Sequence, residues 1–244
     1  MELSKNQIKL IKSLGQKKQR SKHSLFVAEG KKVVKELLAS KLILEKLFVT
    51  PDLENLFLNF SYQVLSDSDL KKVSNLKTPS GVLALFKIPN NKILTNQGLT
   101  VALDSINDPG NLGTIIRLCD WFGIERLICS ENTVDCYNSK VVQATMGSLS
   151  RVEITYLNLE EFLKKCSIPI ICADMEGENV YSTDVPKEGI LVMGNEANGV
   201  SLSVKKLCDK ILMIPRFGSK QETESLNVAT ATAILLSEFR RVTR

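Results

Sequence analysis

Short runs of consecutive apolar residues recur along this chain, separated by polar stretches long enough to hold a helix. In the second half they fall at Val101-Ala102-Leu103, Leu127-Ile128-Cys129, Ile170-Ile171-Cys172, Ile190-Leu191-Val192-Met193 and Ile211-Leu212-Met213-Ile214. Strands that are apolar on both faces belong to a parallel sheet covered on both sides, with helices between most of them. Ligands on such sheets gather beyond the carboxyl ends of the strands, so the loops that follow these runs are where chemistry is expected.

The first half alternates in a looser way. Ile8, Leu10, Ile11 and Leu14 lie among Lys5, Lys9, Lys12, Lys17, Lys18, Arg20 and Lys22, which predicts a short amphipathic helix followed by a basic loop. Leu25-Phe26-Val27, Leu47-Phe48-Val49, Gln63-Val64-Leu65 and Val82-Leu83-Ala84-Leu85-Phe86 read as strands, with a helix through Val33, Val34, Leu37 and Leu38. Ser66 is a candidate N-cap, with Asp67 and Asp69 in the first turn it opens. Asn90, Asn91, Asn96 and Gln97 give the stretch from Pro89 to Gly98 a linker composition. The pattern predicts an α/β protein of two domains, residues 1–89 and 99–244, joined by a linker at 90–98.

Composition narrows the function classes. No run reaches the ~18 apolar residues of a membrane span, and the lysine-rich start leads into no apolar signal segment, so a cytoplasmic protein without a membrane partner is expected. The six cysteines, Cys119, Cys129, Cys136, Cys166, Cys172 and Cys208, include no C-x-x-C pair, and the single histidine, His23, is distant in sequence. No metal site is expected, and the cysteines read as core packing. Residues 1–50 hold twelve Lys or Arg against four Asp or Glu, leaving the remainder slightly acidic. Cations clustered this way suit a polyanion partner as well as they suit a solvated surface.

Three polar segments at strand ends carry candidate chemistry. After Val101-Ala102-Leu103 comes Asp104-Ser105-Ile106-Asn107-Asp108-Pro109-Gly110-Asn111-Leu112-Gly113, opening a helix that contains Arg117. Asn111 can cap that helix or contact a ligand, and Arg117 can serve a site or bridge surface carboxylates. After Met193 comes Gly194-Asn195-Glu196-Ala197-Asn198-Gly199-Val200-Ser201, with Ser201 a candidate N-cap. Val200-Ser201 stands where a phosphate-binding loop needs Lys-Ser/Thr, which argues against a nucleoside triphosphate. The third segment runs from Ile214-Pro215-Arg216-Phe217-Gly218 through a polar stretch to Ser225-Leu226-Asn227-Val228, where a helix begins; a cap alone would explain Ser225 or Asn227. No two glycines are separated by a single residue, which excludes a dinucleotide fingerprint, and the lone histidine with no G-x-S-x-G disfavours a serine hydrolase.

At these segments the sequence resembles the SpoU, or TrmH-like, branch of the SPOUT methyltransferases. The motifs occur in family order: Asn111-Leu112-Gly113-Thr114-Ile115-Ile116-Arg117, then Gly194-Asn195-Glu196 with Gly199 and Ser201, then Ile214-Pro215 with Ser225-Leu226-Asn227-Val228. Gln143-Ala144-Thr145-Met146-Gly147-Ser148 is similar to a further family segment, so the resemblance spans roughly residues 100 to 240. Phe26-Val27-Ala28-Glu29-Gly30 and the following helix resemble the family's small L30e-like substrate-binding domain.

The resemblance implies a knotted SPOUT domain with a mainly parallel sheet, preceded by that L30e-like domain, and an S-adenosylmethionine-dependent methyltransferase acting on an RNA ribose 2′-hydroxyl. Ribosomal RNA is the favoured substrate; transfer RNA, or an inactive RNA-binding assembly factor of the same fold, are the alternatives. Cofactor contacts are implied for Gly194, Asn195, Glu196, Gly199, Ile214, Pro215, Ser225, Leu226 and Asn227. Catalytic roles are implied for Arg117, Asn111, Glu196 and Asn227, with Arg117 either activating the hydroxyl or clamping the adjacent phosphate. Lys17, Lys18, Arg20, Lys22 and Arg117 are the candidate RNA contacts. A homodimer through the knotted domain is also implied. Arg216, where methionine is common, and Ala229, often serine, depart from the family pattern.

Overall fold

The computed structural model describes residues 2–90, 98–218 and 225–241. The predicted linker lies largely outside these residues, and the polar stretch at 219–224 lies wholly outside them. Two compact units form, Met1–Asn90 with Asp135–Arg151, and Asn91–Val134 with Val152–Arg244.

The first unit opens with α1 (Lys5–Ser13), held by a reciprocal capping box between Ser4 and Gln7. The predicted basic loop is instead a second helix, α2 (Lys17–His23). Lysine, glutamine and arginine are good helix formers, and Arg20 anchors the helix from inside. Strand β1 (Leu25–Glu29) leads through α3 (Lys31–Leu38) to β2 (Leu44–Val49), a 3-10 turn at Pro51–Leu56, β3 (Gln63–Val64), α4 (Asp67–Val73) and β4 (Val82–Lys87). Ser66 caps α4 as predicted, accepting from Asp69 N–H at 3.1 Å. The sheet order is β1-β4-β2-β3, antiparallel except for β2 with β3. Phe26, Phe48 and Phe86 are fully buried in it, each burial contributing roughly 1.5–3 kcal/mol.

The second unit begins with β5 (Leu99–Leu103), α5 (Pro109–Trp121) and β6 (Arg126–Ser130). The chain then supplies α6 (Ser139–Thr145) and a 3-10 turn at Ser148–Ser150 to the first unit. Tyr137 packs on Phe26 with ring centroids 4.8 Å apart, and Arg151 pairs with Glu36 at 2.9 Å. Back in the second unit come β7 (Glu153–Leu157), α7 (Leu159–Leu163), β8 (Ile170–Asn179), β9 (Gly189–Met193), α8 (Leu202–Lys205), β10 (Lys210–Met213) and α9 (Val228–Arg241).

This sheet has the order β10-β8-β9-β5-β6-β7, and every pairing is parallel. The central strands β5 and β9 are buried at every position, as expected of a sheet covered on both faces. Strand β7 is not among the predicted strands. It lies at the sheet edge, only Ile154 is buried, and Glu153 and Thr155 dilute its apolar character. The cysteines behave as packing residues: Cys119, Cys129, Cys136 and Cys172 are buried, and Cys166 and Cys208 half-buried. Burial pushes the Cys119 thiol well above its ordinary range.

Candidate active site

The sheet order places two of the three loops together. It runs β5-β6-β7 to one side and β9-β8-β10 to the other, so the order reverses between β5 and β9, where ligands of open parallel sheets bind. Leu103 pairs with Met193 at the ends of these strands, and Asp104 N–H donates to Met193 O at 2.9 Å. The loops beginning at Asp104 and Gly194 therefore leave the sheet side by side.

Side chains then fix the two loops. The buried Asp104 carboxylate accepts from Ser201 N–H at 2.8 Å. Asn195 donates from Nδ2 to Ser105 O at 2.7 Å, while its Oδ1 accepts from Ala197 and Asn198 N–H at 2.9 and 3.2 Å. Asn195 and Gly199 also exchange both backbone hydrogen bonds. The loop closes so tightly that a Cβ at Gly194 would stand 2.1 Å from Gly199 C, and Gly199 itself has φ +66°.

The third segment joins through α9. Asn227 Oδ1 accepts from Ala229 and Thr230 N–H at 2.9 and 3.2 Å, capping the helix. With its oxygen so used, Asn227 presents Nδ2, which donates to Asn111 Oδ1 at 2.8 Å. Asn111 must then present its own Nδ2, and this donates to Glu196 Oε1 at 2.9 Å. A longer contact, 3.5 Å from Asn107 N–H, reaches Glu196 Oε2. Each amide sets the direction of the next, so a single polarised chain runs from helix cap to carboxylate through all three loops.

Asn111 is free for this because it does not cap α5. Asp108 does, accepting from Asn111 N–H at 2.8 Å. Ile214 and Pro215 are half-buried after β10, and Ser225 and Leu226 are exposed before α9. Arg117 stands apart from the chain. Six residues beyond Asn111, it points about 240° around α5, and it is exposed without an ion pair among the described residues. Trp121, four residues further on and 83% exposed, shares its face.

The candidate RNA contacts divide. Lys17, Lys18 and Lys22 are exposed on α2. Arg20 is 3% exposed, donating from Nε to Asp135 at 2.9 Å and from Nη1 to Leu14 O and Gly15 O at 2.9 and 3.0 Å. Its guanidinium is spent inside the first unit, which removes it from the set of phosphate contacts.

Comparison with known proteins agrees with this geometry. Residues 98–237 match the SpoU rRNA Methylase family, and residues 5–84 match the MRM3-like substrate binding domain. The chain is 30% identical to the 23S rRNA (guanosine(2553)-2′-O)-methyltransferase RlmP of Bacillus subtilis, covering 98% of both proteins. A solved structure from the TrmH family of RNA methyltransferases, from Porphyromonas gingivalis, superposes with a TM-score of 0.89 at 37% identity, covering 99% of this chain and 100% of that one. The AdoMet-bound rRNA methyltransferase from Sinorhizobium meliloti gives 0.86 at 29% identity, covering 100% and 97%. The chain belongs to the SpoU rRNA methylase family.

Among the SpoU motif residues, the structure unites Asn111, Gly194, Asn195, Glu196, Gly199 and Asn227. Sequence reasoning missed Asp104 and Asp108, which hold the loops from beneath. Their one visible signal was position: Asp104 is the first residue past a buried strand, and Asp108 precedes Pro109 at a helix start.

Proposed function

We propose that this chain transfers a methyl group from S-adenosylmethionine to a ribose 2′-hydroxyl of 23S ribosomal RNA. The observation that carries the reading is the Asn227–Asn111–Glu196 chain, which draws three loops together where the strand order reverses. The names of the similar proteins, RlmP above all, support the reaction and the RNA.

The residues present suit the cofactor. Ile214, Pro215 and the 48% exposed Leu226 offer apolar surface to a purine, and Gly194 and Gly199 let backbone groups approach closely. When bound, S-adenosylmethionine supplies an electrophilic methyl group. Asn195, with one end of its amide engaged in its own loop and the other on Ser105 O, contributes through its backbone rather than its side chain. Asn111 orients Glu196 and ties it to α9.

On the acceptor side, a guanidinium offers N–H donors and a delocalised positive charge and no acceptor, so Arg117 acts electrostatically. It binds the phosphate beside the acceptor ribose and stabilises the oxygen as its proton leaves to water. Arg117 and Trp121 form one exposed face of α5, and this supports a homodimer in which a second copy covers Trp121 and brings Arg117 to a shared site. Lys17, Lys18 and Lys22 give the N-terminal unit a cationic helix for capturing structured RNA in the cytoplasm. A trefoil knot in the second unit is part of this reading, and membership of the SpoU family supports it.

The test is methyl transfer by the full chain from labelled S-adenosylmethionine to unmethylated 23S transcript, followed by nucleoside digestion. Label in a 2′-O-methylnucleoside is expected. Cofactor binding without transfer to any ribosomal or transfer RNA would replace the proposal with an RNA-binding role.

A further inference from the structure

The family-like segment at residues 143–148 takes no part in the chain of loops, yet it lines a cavity of about 340 Å³ inside the first unit. The cavity lies among β1, α6 and the turn after α4, and its size falls within the range of small-molecule sites. Val27, Leu76, Ala144 and Met146 give it apolar surface; Asn75, Gln143 and Lys140 give it polar groups.

Several features show that this lining is held in place. The buried Glu29 carboxylate accepts from Ser74 Oγ–H, from Asn75 N–H at 2.8 Å and from Asn75 Nδ2 at 3.2 Å. These bonds occupy both carboxylate oxygens, and the Asn75 amide is oriented so that Oδ1 remains available as an acceptor. Gly30, at φ +92°, leaves the space that Gln143 occupies: a Cβ there would lie 3.1 Å from Gln143 Nε2. Met146 adopts φ +52°, rare for a side chain of its size, and is exposed. Gly147 follows at φ +102°, where a Cβ would stand 2.5 Å from Glu36 Cβ. The turn is therefore fixed against α3, and it holds an exposed thioether at the cavity.

Apolar faces, a Gln143 amide that can donate or accept, an Asn75 amide oxygen that accepts, and an exposed lysine describe the recognition of an unpaired nucleobase and its phosphate. An apolar side chain from a protein partner would leave Gln143, Asn75 and Lys140 without a role. We propose that this cavity takes one splayed nucleobase of the RNA substrate, with Lys140 receiving its phosphate. The inference rests on the RNA-modifying reading above.

It can be tested on the full chain labelled with ¹³C at its methionine methyl groups, the Met146 signal being assigned by Met146→Leu. Titration with the four nucleoside 5′-monophosphates, up to millimolar concentration, should shift Met146 for at least one base and leave Met193 and Met213 of the second unit in place. Ala144→Leu, which fills the cavity, should remove that shift. It should also raise KM for 23S transcript roughly tenfold, the loss of about 1.4 kcal/mol, with cofactor affinity unchanged. Gln143→Ala, a truncation on a half-buried surface, provides the same comparison should Ala144→Leu fail to fold. No Met146 shift with any nucleotide, or an equal shift with inorganic phosphate alone, overturns the proposal. If Met146 stays silent while methyl transfer is intact, the cavity assignment alone fails; if transfer also fails, the RNA-modifying reading fails with it.

Discussion

Arg20 on α2 and Arg117 on α5 are the two arginines among the candidate RNA contacts, and the structure gives them opposite surroundings. Arg20 lies inside the first unit, its donors taken by Asp135, Leu14 O and Gly15 O. Arg117 faces solvent beside an exposed tryptophan, with no ion pair among the described residues. A cation whose donors are spent internally holds a fold together. A cation kept exposed on the helix that follows a polarised loop is available to a ligand. Charge in a sequence thus says less about RNA binding than the number of donors left after folding.

The largest expected effect follows from that difference. Arg117→Ala should lower methyl transfer by about a hundredfold to a thousandfold, the cost of removing a positioned electrostatic donor, while leaving the thermal midpoint and cofactor affinity close to wild type. Arg20→Ala should do the reverse. Leaving Asp135 without its partner costs about 3 kcal/mol, visible in denaturant unfolding, while activity per folded molecule persists. If both variants lost stability equally, or both lost only activity, the contrast would collapse.

Smaller changes sharpen it. Asn111→Ala breaks the link between Glu196 and α9 and should cost roughly 1–2 kcal/mol in cofactor binding, measured by calorimetry, with RNA affinity retained. Replacing Lys17, Lys18 and Lys22 together by alanine should weaken RNA binding uniformly and reduce the slope of log affinity against log salt by roughly 2. Adding Arg20→Ala to that triple variant should leave the slope where it was.

The smallest effect concerns a pair outside this contrast. Lys205 Nζ lies 2.9 Å from Asp174 Oδ2. Burial opposes ionisation of Asp174, but its hydrogen bonds from Lys205 and from backbone N–H groups outweigh that and hold its carboxyl below the usual range. The folded state binds the proton less tightly than the unfolded chain, so the pair stabilises above the unfolded pKa of ~3.9 and loses that contribution as pH falls through the lower folded value. Lys205→Met should flatten this part of the acid unfolding curve by less than about 1 kcal/mol.

What the sequence disclosed follows the physics of each element. The buried parallel strands were legible because both of their faces are apolar, and the loops followed from the strands. Strand β7 was not, since an edge position lets Glu153 and Thr155 interrupt the pattern. Asn111 is a reasonable cap by residue type, but Asp108 three positions earlier takes that role, a choice made by local backbone geometry. The burial of Arg20 depends on Asp135, 115 residues away in the chain, and no local pattern encodes so distant a partner. The packing of residues 135–151 with the first unit is hidden for the same reason.

The most direct measurement is a map of ribose methylation across total RNA from cells with this gene, without it, and with only its Arg117→Ala form. One 2′-O-methyl site in 23S ribosomal RNA should be lost on deletion, restored by the wild-type gene and left unmethylated by the variant. A map unchanged by deletion, or a site fully methylated by Arg117→Ala, would contradict the assignment of this chain and of its exposed arginine.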